Sequence, residues 1–353
     1  MKNLEKKLSE SFDKEVLFIL KIKPKDRVVL IYDADVDGVS SAAIALSGLE
    51  KLGMKNIRLV HKDWEVTNNL SGLVARFDKG IILDVPTPVI EKQLKKIKKD
   101  LLVIDHHPSK DVSSKNIVYI NPRLKKREIY QPVSYLTYKI FSKIVDVTDK
   151  EWLAVVGTVG DYGFEDCKDL LRKYLEIKKK EDVWETELGK TAMMINGAIA
   201  VLNPRKTLEI LKPIKDLEEF KKNVKIKNAS KRFDNEFERA KIEFKKNLEI
   251  YVDFGLIFSE IKPKFSRIGS TLSTYIATKY PNKFIMIVER INGNYKIHGR
   301  MENGKIHVGE LLEKLCVGGG HREAGAGMLK IEEINRFKAN LIRELANFTG
   351  KRS

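Results

Sequence analysis

The residues best suited to chemistry lie in one short stretch, Leu101-Leu102-Val103-Ile104-Asp105-His106-His107-Pro108, where an apolar run meets an acid, two imidazoles and a proline. The apolar run has the length of a short buried strand and the proline ends it, so the polar triplet falls on the loop at the strand's C-terminal end. In open α/β sheets, ligands bind along that edge. A carboxylate beside imidazoles is also the mixed oxygen and nitrogen set that suits Mn²⁺, Zn²⁺ or Fe²⁺. A solvated turn with incidental histidines is the bland alternative. The chain has only 6 histidines, and adjacent placement of two after an aspartate at a strand end points to metal chemistry instead.

The same arrangement recurs upstream. Asp33, Asp35 and Asp37 follow the apolar run 27–32, Asp84 follows Gly80–Leu83, and Asp161 follows Gly160 at the end of a helical stretch. If the strands are parallel, these ends share one edge of the sheet. Carboxylates crowded in this way repel unless cations neutralise them. Asp-Ala-Asp-Val-Asp-Gly also looks like the start of an EF-hand loop, but the twelfth-position Glu and the preceding helix are both missing. A two-metal hydrolase centre is the better inference. Near the C-terminus, Gly318-Gly319-Gly320-His321-Arg322 forms a second candidate. Consecutive glycines let backbone N–H groups approach an anion, and His321 and Arg322 add donors, which favours a phosphate or nucleotide contact over a plain tight turn. The run is neither a Walker A loop nor part of a strand–GxGxxG–helix unit.

Short apolar segments at 27–32, 57–60, 80–83, 101–104 and 117–120 alternate with amphipathic helical patterns at 39–52, 88–99, 133–146 and 150–159. A lead-in helix is expected within 1–25. This alternation predicts an α/β domain over residues 1–165, a mostly parallel sheet with helices on both faces. Residues 166–250 read as a charge-rich helical connector with Phe233, Phe237, Ala240, Phe244 and Leu248 on one stripe. A smaller α/β domain follows over 251–345, with strands at 251–258, 284–289 and 295–298 and a hairpin turn at Asn292-Gly293-Asn294. At 353 residues the chain is long enough for two cores. It is 42% hydrophobic and 33% charged, rich in Lys and Glu in the manner of thermophile proteins. No apolar run approaches the roughly 20 residues of a membrane span, and the N-terminus has no signal-peptide core. Cys167 and Cys316 are far apart, which argues against a zinc finger and fits a reducing cytoplasm. A net charge of +17 favours a polyanionic partner, with a basic proteome as the competing explanation. Trp64, Tyr130, Tyr162 and Phe265 could stack on bases but read more simply as packing residues.

With these motifs in this order, the chain resembles the DHH phosphoesterase superfamily, and more closely the subfamily with a C-terminal DHHA1 domain, over about residues 20–345. That subfamily includes RecJ exonucleases, archaeal RecJ-like nucleases, nanoRNases and cyclic-dinucleotide phosphodiesterases. The resemblance implies two Mn²⁺ ions, with Mg²⁺ or Co²⁺ as substitutes. Asp35 and Asp37 would be metal ligands, Asp84 would bridge the ions, and His106 and Asp161 would complete the second site. Asp105 would support the cluster and His107 would face the scissile phosphate. Arg300 matches the DHHA1 arginine that binds nucleotide phosphate, and His321 the histidine near the terminal nucleotide. Ile31 stands where some members carry a His, and Asp33 is an added acid, a ligand or a support, as in RecJ-type sequences. This pattern favours the exonuclease branch over the pyrophosphatase branch, and the leading expectation is an archaeal RecJ-like exonuclease on single-stranded RNA or DNA that releases nucleoside monophosphates. The alternative is a nanoRNase or small-nucleotide phosphodiesterase restricted to very short oligonucleotides or cyclic dinucleotides, and an inactive replication scaffold comes third. The expected partners are single-stranded nucleic acid or short oligonucleotides, then a second copy of the chain or replication and repair proteins, with no membrane.

Overall fold

Five short strands rich in Val, Ile and Leu build the first sheet: β1 Val28–Tyr32, β2 Ile57–His61, β3 Lys79–Leu83, β4 Asp100–Ile104 and β5 Ile117–Ile120. In this computed structural model, which describes residues 13–174, 183, 185–291, 293–320 and 322–349, they pair in the order β2-β1-β3-β4-β5, all parallel. Side chains alternate between the faces. Leu30, Tyr32, Ile81, Leu83, Leu102 and Ile104 enter one core, and Val29, Ile31, Ile82, Leu101 and Val103 enter the other. The helix Val36–Lys51 that follows β1 packs in the first core, while the helix Thr87–Leu94 that follows β3 packs in the second. β1 and β3 are neighbours whose connections leave to opposite faces, which makes their C-terminal ends the topological switch point of the sheet.

Register decides what gathers there. Tyr32 pairs with His61 and Leu83, Leu83 with Ile104, and Ile104 with Ile120. The next residues along the edge are therefore Lys62, Asp33, Asp84, Asp105 and Asn121, side by side. The helix Val36–Lys51 is buried from Val36 through Leu49, and its Ala, Ser and Gly content lets the helices Val133–Phe141, Glu151–Gly160 and Glu187–Leu202 close over it. Two expected helices are shorter than their patterns: the 88–99 pattern yields Thr87–Leu94, and the 133–146 pattern yields Val133–Phe141. Of the lead-in helix, Lys14–Leu20 is described, and residues 1–12 lie outside the described residues.

The chain divides into two compact units, Met1–Ser230 and Lys231–Ser353. The division falls inside the helix Val224–Lys246, on which Phe233, Ala240 and Phe244 are buried. The second unit carries a mixed sheet in the order β10-β11-β9-β8-β7-β6. Its strands are β6 Glu249–Tyr251, β7 Leu256–Ile261, β8 Phe284–Ile291, β9 Asn294–Arg300, β10 Val317–Gly320 and β11 Ala324–Lys330, and only β7–β8 is parallel. The single strand expected at 251–258 is in fact an antiparallel pair, β6 and β7. Gly255, at φ 61°, turns the chain between them in a left-handed conformation that suits glycine. The glycine-rich run is likewise a β-hairpin, β10 against β11. Among the described residues, no helix is long and apolar enough to cross a membrane.

Candidate metal centre

Each acid at the sheet edge is fixed by its own local device. Asp33 accepts from the Ala34 peptide N–H and from Lys62 Nζ at 2.8 Å. Gly38 lets the loop fold back on itself, since a Cβ there would lie 2.3 Å from the Asp33 carbonyl oxygen. Asp35 caps the helix Val36–Lys51 by accepting from Gly38 N at 2.9 Å. Asp37 is buried and caps a different helix, taking the N–H groups of Val133 and Ser134 at 2.7 and 2.9 Å. That contact needs a glycine opposite, because a Cβ at Gly157 would sit 2.3 Å from Ser134 Oγ. Asp84 is buried and adopts φ 63°, a region that aspartate and asparagine enter more readily than bulkier residues.

Asp105 differs from the rest. Its Oδ2 accepts from the Thr87 N–H and hydroxyl, and its Oδ1 from the N–H groups of His106 and His107 and from His107 Nδ1 at 2.7 Å. Burial alone would raise its pKa, but the hydrogen bonds and charge of His107, with those of Thr87, hold it at about 2. An ionised Asp105 can only accept, so the hydrogen of this contact is on His107 Nδ1. Asn121 donates to the His107 carbonyl and to the Tyr119 hydroxyl, which closes this polar network from the next strand.

Two sets of donors converge on His106. Asp37, His106 and Asp161 form one, and Asp84, His106 and His107 the other, with the ligand atoms of each set within 4.8 Å of one another. His106 Nε2 lies 3.3 Å from Asp84 Oδ1 and 3.4 Å from Asp161 Oδ2. Asp35 belongs to neither set, yet its charge is felt by Asp37, Asp84 and Asp161. The fit to divalent cations rests on buried atoms: among the described residues, Asp84 Oδ1 and His106 Nδ1 have no hydrogen-bond partner, a costly condition for buried polar groups. Burial, then the neighbouring acids, pushes the Asp84 and Asp161 carboxyls well above the usual range, and burial lifts Asp37 to about 6. Burial, then the charge of His107, lowers His106 to about 3, so its imidazole is neutral and able to ligate. A cation-hungry cluster of carboxylates around one neutral imidazole is the pattern expected of a hard-to-borderline metal site.

Sequence reasoning missed part of this cluster. Tyr130, read as a packing residue, donates its hydroxyl to Asp161 Oδ2 at 2.6 Å, and its ring lies 5.0 Å from that of His106. Arg123 sits over the Tyr130 ring at 5.2 Å and donates Nε to the His106 carbonyl at 2.7 Å. Arg123 comes from the short 3-10 helix Pro122–Leu124 and Tyr130 from the loop that follows it, neither of which carries a motif. Lys62 did leave a signal, its place directly after a strand. On the second unit, Arg300 at the end of β9 donates to Thr274 Oγ1 at 3.3 Å and pairs with Ala324 in the sheet. In β10, Gly318 and Gly320 have a strand-packing reason to be glycine. A Cβ would lie 2.5 Å from the Ala326 oxygen in the first case and 2.4 Å from the Ala324 oxygen in the second. Gly319 faces open space. Arg322 is exposed and donates to the Gly304 carbonyl, and His321 lies outside the described residues.

Residues 27–156 match the model of the DHH family's N-terminal domain, and residues 257–347 match that of the DHHA1 domain. The chain belongs to the DHH–DHHA1 family. Members of this family are metal-dependent hydrolases of phosphoester bonds. Similar solved structures include RecJ with Mn²⁺ from Thermus thermophilus (TM-score 0.73, 17% identity, 94% of this chain). A manganese-bound exonuclease RecJ matches with a TM-score of 0.66 and 17% identity over 94% of each chain. The pGpG-specific phosphodiesterase PggH from Vibrio cholerae matches with a TM-score of 0.52 and 14% identity, over 91% of this chain and 99% of its own. The chain spans 54% of the length of the Thermus protein. At these identities the likeness is one of fold. No curated protein matches the chain.

Three outcomes follow for this DHH–DHHA1 centre. Carboxyls whose folded pKa is raised stabilise the metal-free fold below their unfolded pKa near 4 and lose that contribution as pH rises through the folded value, about 6 for Asp37. A bound cation needs the same groups deprotonated. The rise in melting temperature produced by Mn²⁺ therefore grows from pH 6 to pH 8, and a pH-independent increment contradicts the cluster's charge state. Asp84→Asn keeps the left-handed backbone and removes a buried charge. It raises the melting temperature of the metal-free protein by a few degrees while erasing the Mn²⁺ increment; a lower metal-free melting temperature counts against this. Tyr130→Phe keeps the ring against His106 but releases Asp161, and weakens Mn²⁺ binding by about 10–100-fold in calorimetric titration. Unchanged affinity would show the hydroxyl to be incidental.

Proposed function

We propose that the chain is a two-metal phosphodiesterase that acts as an exonuclease on single-stranded RNA or DNA and releases nucleoside monophosphates, with Mn²⁺ preferred and Mg²⁺ or Co²⁺ able to replace it. The observation that carries this reading is the pair of donor sets, Asp37–His106–Asp161 and Asp84–His106–His107, sharing one imidazole at the switch-point edge. In this reading Asp35, Asp37, Asp84, His106 and Asp161 hold the ions, and Asp33 with Lys62 completes the charge balance. Bound divalent ions supply a nucleophilic water at neutral pH and stabilise charge on the phosphate oxygens. The chain's own groups do the rest. Asp105 fixes the tautomer and aim of His107, whose Nε2 then faces the phosphate and can hydrogen-bond a non-bridging oxygen or give a proton to the leaving oxygen. Arg300, Arg322, His321 and the backbone of Gly318–Gly320 contact the terminal nucleotide, with Arg300 suited to a bidentate phosphate contact. The RecJ structures that share this fold support the exonuclease class. The likeness to a pGpG-specific phosphodiesterase over 99% of that protein's length favours a second reading, activity confined to very short oligonucleotides.

Digestion of 5′- and 3′-labelled RNA and DNA of 2 to about 30 nucleotides in Mn²⁺ gives monophosphates from every single strand, and EDTA suppresses them. Cleavage that disappears beyond a few nucleotides selects the second reading, and no cleavage at any length refutes both. His107→Ala lowers kcat by about 10²–10⁴-fold while the Mn²⁺ melting increment persists; if the increment is lost as well, His107 is chiefly a ligand.

A further inference from the structure

Outside every residue assigned so far, the second unit presents an aromatic and cationic face on two helices. On the helix Val224–Lys246, Phe233 is buried and serves the core, while Phe237, one turn on and stacked parallel to it at 6.5 Å, is only half-buried. The half-buried Tyr275 ring of the helix Ile268–Lys279 meets Phe237 edge-on at 5.7 Å. Each ring carries a lysine one turn further along its own helix. Lys241 Nζ lies 5.5 Å from the Phe237 centroid and 5.2 Å from that of Tyr275, and Lys279 Nζ lies 4.4 Å from Tyr275. Beside them, Arg232 covers the half-buried Phe265 ring at 5.3 Å.

Lys241 bonds Glu238 at 2.6 Å and Lys279 hydrogen-bonds the Tyr275 side chain, but among the described residues neither Arg232 nor Lys279 has an acidic ion-pair partner. The helix that carries Tyr275 and Lys279 also gives Thr274 to Arg300, the proposed nucleotide-phosphate contact. Rings flanked by cations match a single strand of nucleic acid: phosphates draw the lysines off the rings, and bases stack on the faces so exposed. A duplex, with its base faces covered, can use only the charges.

We propose that the Phe237–Tyr275 face, with Lys241, Lys279, Arg232 and Phe265, is a track for single-stranded nucleic acid beyond the nucleotide held by Arg300, an inference that rests on the exonuclease reading above. The track makes long single strands the preferred substrates and leaves dinucleotides indifferent to it.

The test separates binding from chemistry. Affinity for a labelled 20-nucleotide single strand is read by fluorescence anisotropy in EDTA, and dinucleotide hydrolysis is followed separately in Mn²⁺. Tyr275→Ala weakens single-strand binding by about 5–100-fold, Tyr275→Phe restores it, and duplex binding is little changed. The double variant Lys241→Gln/Lys279→Gln reduces the salt dependence of single-strand binding, its log–log slope falling by about 1.4. Dinucleotide turnover stays at the wild-type level in all of them. Wild-type affinity in both the Tyr275→Ala and the double-lysine variants overturns the track, as does an equal loss on dinucleotides. A native protein that cuts dinucleotides but does not bind the 20-mer also overturns it while leaving phosphodiester hydrolysis intact. Variants that lose binding in a protein that hydrolyses nothing support the track and refute the exonuclease reading instead.

Discussion

Repulsion among desolvated carboxylates is the constraint on which the first unit turns. Burial raises the carboxyls of Asp37, Asp84 and Asp161; Asp35 adds to all three, Asp37 and Asp33 add to Asp84 and Asp161, and Asp161 adds to Asp84. In water such charges would separate, but here each is tied to a different backbone feature: a helix N-terminus, a left-handed residue after a strand, and the residue just past a helix. The fold holds the repulsion in place, so a divalent cation finds its ligands already gathered and their mutual cost already met by the scaffold. Lys62 offsets a fraction of it through Asp33. It supplies one charge against several, so the remaining demand is for cations of higher charge.

The parallel register and the switch point produce the gathering. Because Tyr32, Leu83 and Ile104 are level, the acids after three adjacent strands form a row with roughly strand-to-strand spacing. The helices Val133–Phe141 and Glu151–Gly160 then bring in the remaining groups from one face, and they come close enough beside Asp37 because Gly157 has no side chain to meet Ser134. Asp105 stands in the same row but has spent both oxygens on hydrogen bonds. Its chemistry is that of an orienting group, which is why adjacent acids of one motif can do unlike work.

Much of this was legible in the chain. Apolar runs ending in acids marked the strands and the edge, and the alternation with helices predicted a parallel sheet. Asp84 and Asp161 could be placed with the others because strand polarity and a terminal Gly-Asp bring distant positions to one end. What escaped were contacts that depend on loop paths. Tyr130 and Arg123 reach His106 from a loop and a single 3-10 turn whose spacing encodes no geometry, and no periodicity distinguishes them from packing residues. In the second unit, Gly255 breaks a continuous apolar pattern that period alone cannot divide. The glycines of β10 have two explanations in sequence, anion approach and close strand pairing, and the Cβ clashes at Gly318 and Gly320 show the second operating.

That pairing bears on how the glycine-rich hairpin can serve a substrate. β10 is an edge strand, so its outward N–H and C=O groups are not used by the sheet. Among the described residues nothing lies within 4 Å of where a Cβ of Gly319 would stand. Gly318 and Gly320 keep the hairpin tight, and Ala324 sets Arg300 beside its end. Strand alternation puts Gly318 and Gly320 on one side and Gly319 on the other, so the packing that requires two of these glycines does not exclude the phosphate contact proposed above.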